Sequence, residues 1–209
     1  MTGDTNSTRD VFVRDTCVGV LFACTPSTVR VSVASDGTQG NSLSDGDALS
    51  VDGRFVGFGS LASNLVAGDT NGITDIFVRD RDADADGILD EPGAVATTRV
   101  SVASDGSQSN GLQEGPDLSA DGRFVLFDSD ATNLVAGDTN STRDVFVRDT
   151  CVGAPPGCTS STVLVSLASD GTQGNAVSGD PSLSADGRFV VFFSLASNLV
   201  AGDTNGVTD

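Results

Sequence analysis

The sequence predicts an all-β protein built from one small antiparallel sheet repeated along the chain. Three observations carry this. The chain repeats itself at a spacing near 65 residues. Each period breaks into four short segments rich in Val, Phe, Leu and Thr, separated by Gly, Asp, Asn and Ser. No segment shows an apolar period of 3.6 residues, so almost no helix is expected.

The repeat is defined by three blocks in constant order. GDTNSTRDVFVRD at 3–15 returns as GDTNGITDIFVRD at 68–80 and GDTNSTRDVFVRD at 137–149, and a further copy opens at 202–209. The first Asp of each is Asp4, Asp69, Asp138 and Asp203, spacings of 65, 69 and 65 residues. SVDGRFVGF, SADGRFVLF and SADGRFVVF run in phase with it, as do VRVSVASDGTQGN, TRVSVASDGSQSN and VLVSLASDGTQGN. The whole chain, 1–209, reads as a single repeat array that starts and stops within a repeat.

Each element follows from its residues. The first strand is the brief DALS, PDLS or PSLS. The Asp-Gly after it suits a type I′ hairpin, because both residues tolerate positive φ. The second strand is RFVGF, RFVLF or RFVVFF, and the loop SNLVAGDTNG, crowded with turn formers, follows it. The third is DVFVRD or DIFVRD, the fourth TVRVSVAS, TTRVSVAS or TVLVSLAS. In the fourth, Val29, Val31 and Val33 alternate with Arg30 and Ser32. Four antiparallel strands repeated radially make the blade of a β-propeller, whose apolar face the next blade covers. A β-solenoid would need shorter rungs.

The block DPSLSADGRFVVFFS, a loop, then DVFVRD resembles the propeller repeat of TolB and related secreted bacterial proteins, over nearly the whole chain. The resemblance implies protein–protein interaction, although no residue here matches a known partner site. It also implies a ring of six or more blades. About three are present, an incomplete ring, so closure would need self-association or flanking sequence.

Composition narrows the chemistry. The net charge is −18, all 11 basic residues are Arg, and His is absent. Without His, Ser-His-Asp, Cys-His and His-zinc sites are excluded. The charge disfavours nucleic acid and anionic membrane surfaces and favours cations. No apolar run is long enough to insert in a membrane.

The sharpest local motif is DRDADADGILDE at 80–91. Asp82, Asp84, Asp86, the Ile88 carbonyl and Asp90 take positions 1, 3, 5, 7 and 9 of a calcium loop, with Gly87 at the turn. Gly93 stands where the bidentate Glu is expected, and Glu91 is displaced from it. Neighbouring carboxylates about 4 Å apart repel by roughly 1 kcal/mol per pair even in water. Ordering this loop calls for a cation, and calcium is the expected cofactor.

In the other two copies the same hairpin loop carries Cys17 with Cys24 and Cys151 with Cys158. A hairpin brings its ends together, so two local disulfides are expected, and with them an extracellular, cell-surface or periplasmic location. A weaker pattern is Asp-X-Asn-X-X-X-Asp: Asp4, Asn6 and Asp10; Asp69, Asn71 and Asp75; Asp138, Asn140 and Asp144. It fits either a shared cation or ordinary turn chemistry. The Arg–Asp ends of FVRD point to opposite sides of a strand and are expected to have separate surface partners.

The functional expectation is a non-catalytic extracellular repeat module, calcium-stabilised, that binds a protein or glycan ligand or serves as scaffold. The alternative is the propeller portion of a larger secreted peptidase or glycosidase.

Overall fold

A computed structural model describes residues 4–19 and 23–203; the end of the fourth GDTNG copy lies outside them. The described residues form twelve strands and no helix. They are β1 (Phe12–Asp15), β2 (Ser27–Arg30), β3 (Ser44–Leu49), β4 (Phe55–Ser60), β5 (Asp75–Asp80), β6 (Ala96–Arg99), β7 (Gln113–Leu118), β8 (Phe124–Ser129), β9 (Asp144–Asp149), β10 (Ser161–Leu164), β11 (Ser178–Leu183) and β12 (Val190–Ser194). Two antiparallel four-stranded meanders, β3-β4-β5-β6 and β7-β8-β9-β10, are flanked by the two-stranded sheets β1-β2 and β11-β12. The first pair corresponds to the third and fourth strands of a repeat, the last pair to the first and second.

Register repeats with the sequence. Phe55 to Ser60 pair with Asp80 to Asp75, and Phe124 to Ser129 pair with Asp149 to Asp144. The first strand of each repeat is longer than the sequence suggests and carries a bulge, between Asp45 and Ala48, Glu114 and Asp117, and Gly179 and Ser182. The fourth strand is shorter. It ends at Arg30, Arg99 or Leu164 because the next residues fold into a tight turn, with the Val33 N–H donating to the Val31 carbonyl at 2.8 Å. Alternation therefore stops there, and Val31 through Ala34 are all buried.

The Asp-Gly hairpins are not type I′. Only the glycines, Gly53, Gly122 and Gly187, have positive φ, at 72–75°. Gly53 N–H donates to the Ser50 carbonyl at 3.0 Å, and Ser50 N–H to that of Phe55 at 2.9 Å. This is a type I turn followed by a left-handed Gly. Asp52 stays at negative φ because its carboxylate accepts from Ser50 Oγ at 2.7 Å and Arg54 N–H at 3.0 Å.

Apolar cores lie between successive sheets. Ala48, Phe55, Ile76 and Val78 of the second sheet meet Leu118, Val125 and Phe127 of the third. Leu126, Val145 and Val147 on the other face of the third sheet meet Leu183, Val190 and Phe192 of the fourth. Phe58 stacks on Phe77 at 5.8 Å and Phe127 on Phe146 at 6.0 Å.

Polar seams run beside these cores. In the two four-stranded sheets the arginine of FVRD is not a surface group: Arg79 is 5% exposed and Arg148 9%. Arg79 Nη1 donates to the Ala34 carbonyl of the preceding repeat at 3.1 Å, and Arg148 Nη1 to that of Ala103 at 3.2 Å. Thr97 Oγ1 donates to the Val33 carbonyl, and Thr162 Oγ1 to that of Val102, both at 2.6 Å. The adjacent Asp takes the separate partner expected of it: Arg54 grips Asp80 at 2.8 and 2.9 Å, and Arg123 grips Asp149 at 2.9 and 2.7 Å.

The hairpin glycines also serve this packing. A Cβ on Gly122 would lie 2.2 Å from the Phe55 ring of the preceding sheet, whereas one on Gly53 meets only Arg81 at 3.8 Å. Both positions share the left-handed backbone, which costs an alanine about 1–2 kcal/mol. Gly122→Ala is therefore expected to destabilise by a further 1–3 kcal/mol or so over Gly53→Ala, measured by urea unfolding of the two variants; equal losses would count against the sheet-to-sheet contact.

Candidate functional site

The hairpin loop between the third and fourth strands differs most between copies. In the second copy it is the acidic segment. Asp82 N–H donates to the Asp80 carboxylate at 3.0 Å, fixing the start of the loop. The chain then curls round Asp82, whose two carboxylate oxygens accept from Asp86 N–H and Gly87 N–H, each at 3.1 Å. Ala85 at φ 59° and Gly87 at φ 90° permit the curl. As a result Asp82, Asp84 and Asp86 each place a carboxylate oxygen within 4.8 Å of the others. Asp82 is buried, while Asp84 and Asp86 are exposed. Ile88 follows directly, its N–H donating to Asp86 at 2.9 Å. The loop does not bring Asp90 to these three. Its carboxylate is held by Arg81, whose Nε lies 3.0 and 3.1 Å from the two oxygens. Arg81 also donates to the Gly53 carbonyl at 2.7 Å, so it ties the loop to the neighbouring hairpin. The sequence motif carries no sign of that pairing, since Arg81 lies outside the ligand positions.

In the first and third copies the equivalent loop is closed by a disulfide, Cys17–Cys24 and Cys151–Cys158, each with a Cα–Cα distance of 5.8 Å. Asp15 and Asp149 accept from Cys17 N–H and Cys151 N–H, each at 2.8 Å. Asp15 and Asp149 lie close to these sulfurs, but sulfurs joined in disulfides offer no thiolate to a metal.

The Asp-X-Asn-X-X-X-Asp pattern converges in the first three copies, with an amide at its centre. Gln39 Nε2 donates to Asp4 at 3.1 Å and Asp10 at 3.0 Å; Gln108 to Asp69 at 3.0 Å and Asp75 at 3.2 Å; Gln173 to Asp138 and Asp144, both at 2.9 Å. The place between the carboxylates is thus taken by a glutamine from the distant SDG-T/S-Q turn. Asn6 and Asn140 donate to the carbonyls of Gly40 and Gly174, and Asn71 to that of Ser109. Ser101 Oγ and Ser166 Oγ each donate to the second Asp, Asp75 and Asp144, at 2.6 Å. These residues serve turn and network chemistry. The glutamine was the missing piece, and its constant place in ASDG-T/S-Q was the signal that would have found it.

One copy departs from this network. Arg99 Nη1 stands 3.5 Å from Asp69 and 3.4 Å from Asp75, and Arg30 Nε 3.2 Å from Asp10. In the third copy Leu164 takes the place of that arginine. Burial raises the carboxyls of Asp75 and Asp144 above the usual range. Asp69 adds to the rise at Asp75 as Asp138 does at Asp144, and at Asp75 alone Arg99 opposes it.

No family model matches the chain, and no curated protein matches it either. A shallow depression recurs at the same place in each copy, lined by Ala34 and Asn64, by Ala103 and Asn133, and by Ala168 and Asn198. Such recurrence marks an architectural feature of the repeat.

Asp128 breaks the symmetry. Gly59 and Phe193 occupy its place in the neighbouring copies. Asp128 is 3% exposed, accepts from Asp180 N–H of the next sheet at 3.2 Å, and leaves Oδ1 buried without a partner. Burial pushes its carboxyl up to about 6; Arg143 opposes this, and Glu114 and Asp180 add to it. The folded state thus holds this proton more tightly than the unfolded chain does. The stability it contributes is present below pH 4 and is lost as pH rises through 6. Asp128→Asn is expected to match the wild type in urea melts near pH 4 and to exceed it above pH 6, by up to about 3 kcal/mol. A constant difference at all pH values would refute this.

Proposed function

We propose that the chain is a non-catalytic, extracellular β-propeller-type repeat module of the TolB kind, stabilised by calcium, that presents binding loops or serves as scaffold. The observation that carries this reading is the loop between the third and fourth strands. It is clipped by a disulfide in two copies, and in the other it gathers Asp82, Asp84 and Asp86 within 4.8 Å. Calcium takes oxygen ligands from carboxylates and backbone carbonyls at short range. The three aspartates would supply carboxylate oxygens of such a set, with Asp90 acting through Arg81 to hold the loop.

The propeller reading is supported by the packing of successive meanders face to face and by the neighbouring positions of their first strands, β3, β7 and β11. The two disulfides favour an oxidising compartment. Among the described residues no helix is long and apolar enough to cross a membrane. The partner is proposed to be a protein or glycan rather than nucleic acid, which a charge of −18 would repel.

Isothermal titration with calcium is expected to show one site whose heat is lost in Asp84→Ala with Asp86→Ala; a chain that gives no heat would remove the calcium reading. Reduction of the two disulfides should lower stability by about 2–3 kcal/mol for each loop, read as a shift of the urea midpoint with and without reductant.

A further inference from the structure

The first three Asp-X-Asn-X-X-X-Asp loops each hold a glutamine amide between their two carboxylates, but only two of them set a positive charge beside it. Arg30 Nε lies 3.2 Å from Asp10 in the first copy. Arg99 Nη1 lies 3.5 Å from Asp69 and 3.4 Å from Asp75 in the second. In the third, Leu164 pairs with Phe146 in the register in which Arg99 pairs with Phe77. Its side chain packs against the apolar core between the second and third sheets and brings no charge to the loop.

The rest of the network is the same in both complete sheets. Gln173 donates to Asp138 and Asp144, and Ser166 to Asp144, as Gln108 and Ser101 do in the second copy. All these partners are neutral. Asp144 is fully buried, and burial raises its carboxyl, to which Asp138 adds. Two ionised carboxylates in such a place repel each other strongly unless a cation stands by them.

A second observation falls on the same loop. Asp138 Oδ2 and Thr142 Oγ1 are buried and meet no hydrogen-bond partner. No side-chain atom of the loops at 4–10 and 69–75 is left in that state. Buried oxygens without partners call for a water or an ion. The loop is already held by other bonds: Asn140 Oδ1 accepts from Thr142 N–H, and Asn140 Nδ2 donates to the Gly174 carbonyl, each at 2.9 Å. An ion that binds there has little chain to order.

We propose that the third copy binds one monovalent metal cation, sodium or potassium, at Asp138, Thr142 and Asp144 in place of the arginine charge. The carboxylates and the threonine hydroxyl supply oxygen ligands, which suit a hard cation. Charge selects the valence. Arg99 leaves one net negative charge on the pair in the second copy, and a single monovalent ion restores the same balance in the third. This site is separate from the three clustered carboxylates at 82–86, and it does not depend on calcium being bound there.

Urea unfolding of the whole chain tests this, near neutral pH and with a calcium chelator present, in sodium, potassium or choline chloride at equal ionic strength. The folded-to-unfolded ratio is expected to be higher in sodium or potassium than in choline, by about tenfold where the ion stands at ten times its dissociation constant. The salt that gives the larger gain identifies the ion. Leu164→Arg carries its own charge and should lose the gain, whereas Leu164→Met, neutral and of similar size, should keep it. Asp138→Asn and Thr142→Val should each reduce it, and they decide the matter if circular dichroism shows Leu164→Arg unfolded. Equal stability of the wild type in the three salts would overturn the proposal. So would a gain that persists undiminished in Leu164→Arg or in Asp138→Asn, since the ion would then act elsewhere.

Discussion

A four-stranded sheet of this repeat has apolar side chains on both faces and too little chain of its own to cover them. Phe58, Phe77, Phe127 and Phe146 are all fully buried, and what buries them is partly the adjoining repeat. Burying a Phe side chain contributes about 1.5–3 kcal/mol relative to leaving it in water. Most of that gain exists only when sheets stack. This is the constraint on which the rest of the chain depends. It explains why the DG hairpin keeps a glycine against the neighbouring Phe.

Stacking carries polar groups into the seams, where most are met by groups of the adjoining repeat. Arg79 and Arg148 are almost wholly buried and spend their donors on neighbouring carbonyls and threonines. Asp75 and Asp144 are fully buried and are held by serine hydroxyls and a glutamine amide. A neutral amide can bridge two carboxylates without adding charge, but it leaves the desolvation cost in place, which is why both carboxyls are raised. Hydrogen bonds ease that cost at both, and at Asp75 the Arg99 charge eases it further, which Leu164 in the third copy does not supply. The repeat tolerates that loss in one copy because the stacked cores on either side remain intact.

Against this uniform frame, variation concentrates in one loop, the hairpin between the third and fourth strands. There the chain uses either a covalent clip or a curl of carboxylates. Both devices restrict a hairpin tip, and inside the third copy's clip Val152 packs against the core between the second and third sheets. A scaffold whose stability lies in its faces leaves its loop tips free to carry recognition.

The strands, their order and the two cysteine pairings were legible in the sequence, because alternation, turn residues and repetition are local signals. Local too were the three clustered aspartates of the 80–91 loop. The ends of the fourth strands were not legible, since Val31 through Ala34 look like more strand, and only the turn that packs them inward ends the ladder. The same holds for the Asp-Gly hairpin, where the side chain of Asp52 holds the turn in a form its residue type does not dictate. Tertiary structure alone decided that Arg79 is buried, that Asp90 belongs to Arg81, and that Gln108 stands between Asp69 and Asp75. Each of these joins groups from separate turns or sheets, and no local pattern of residues records which distant partner a buried charge will meet.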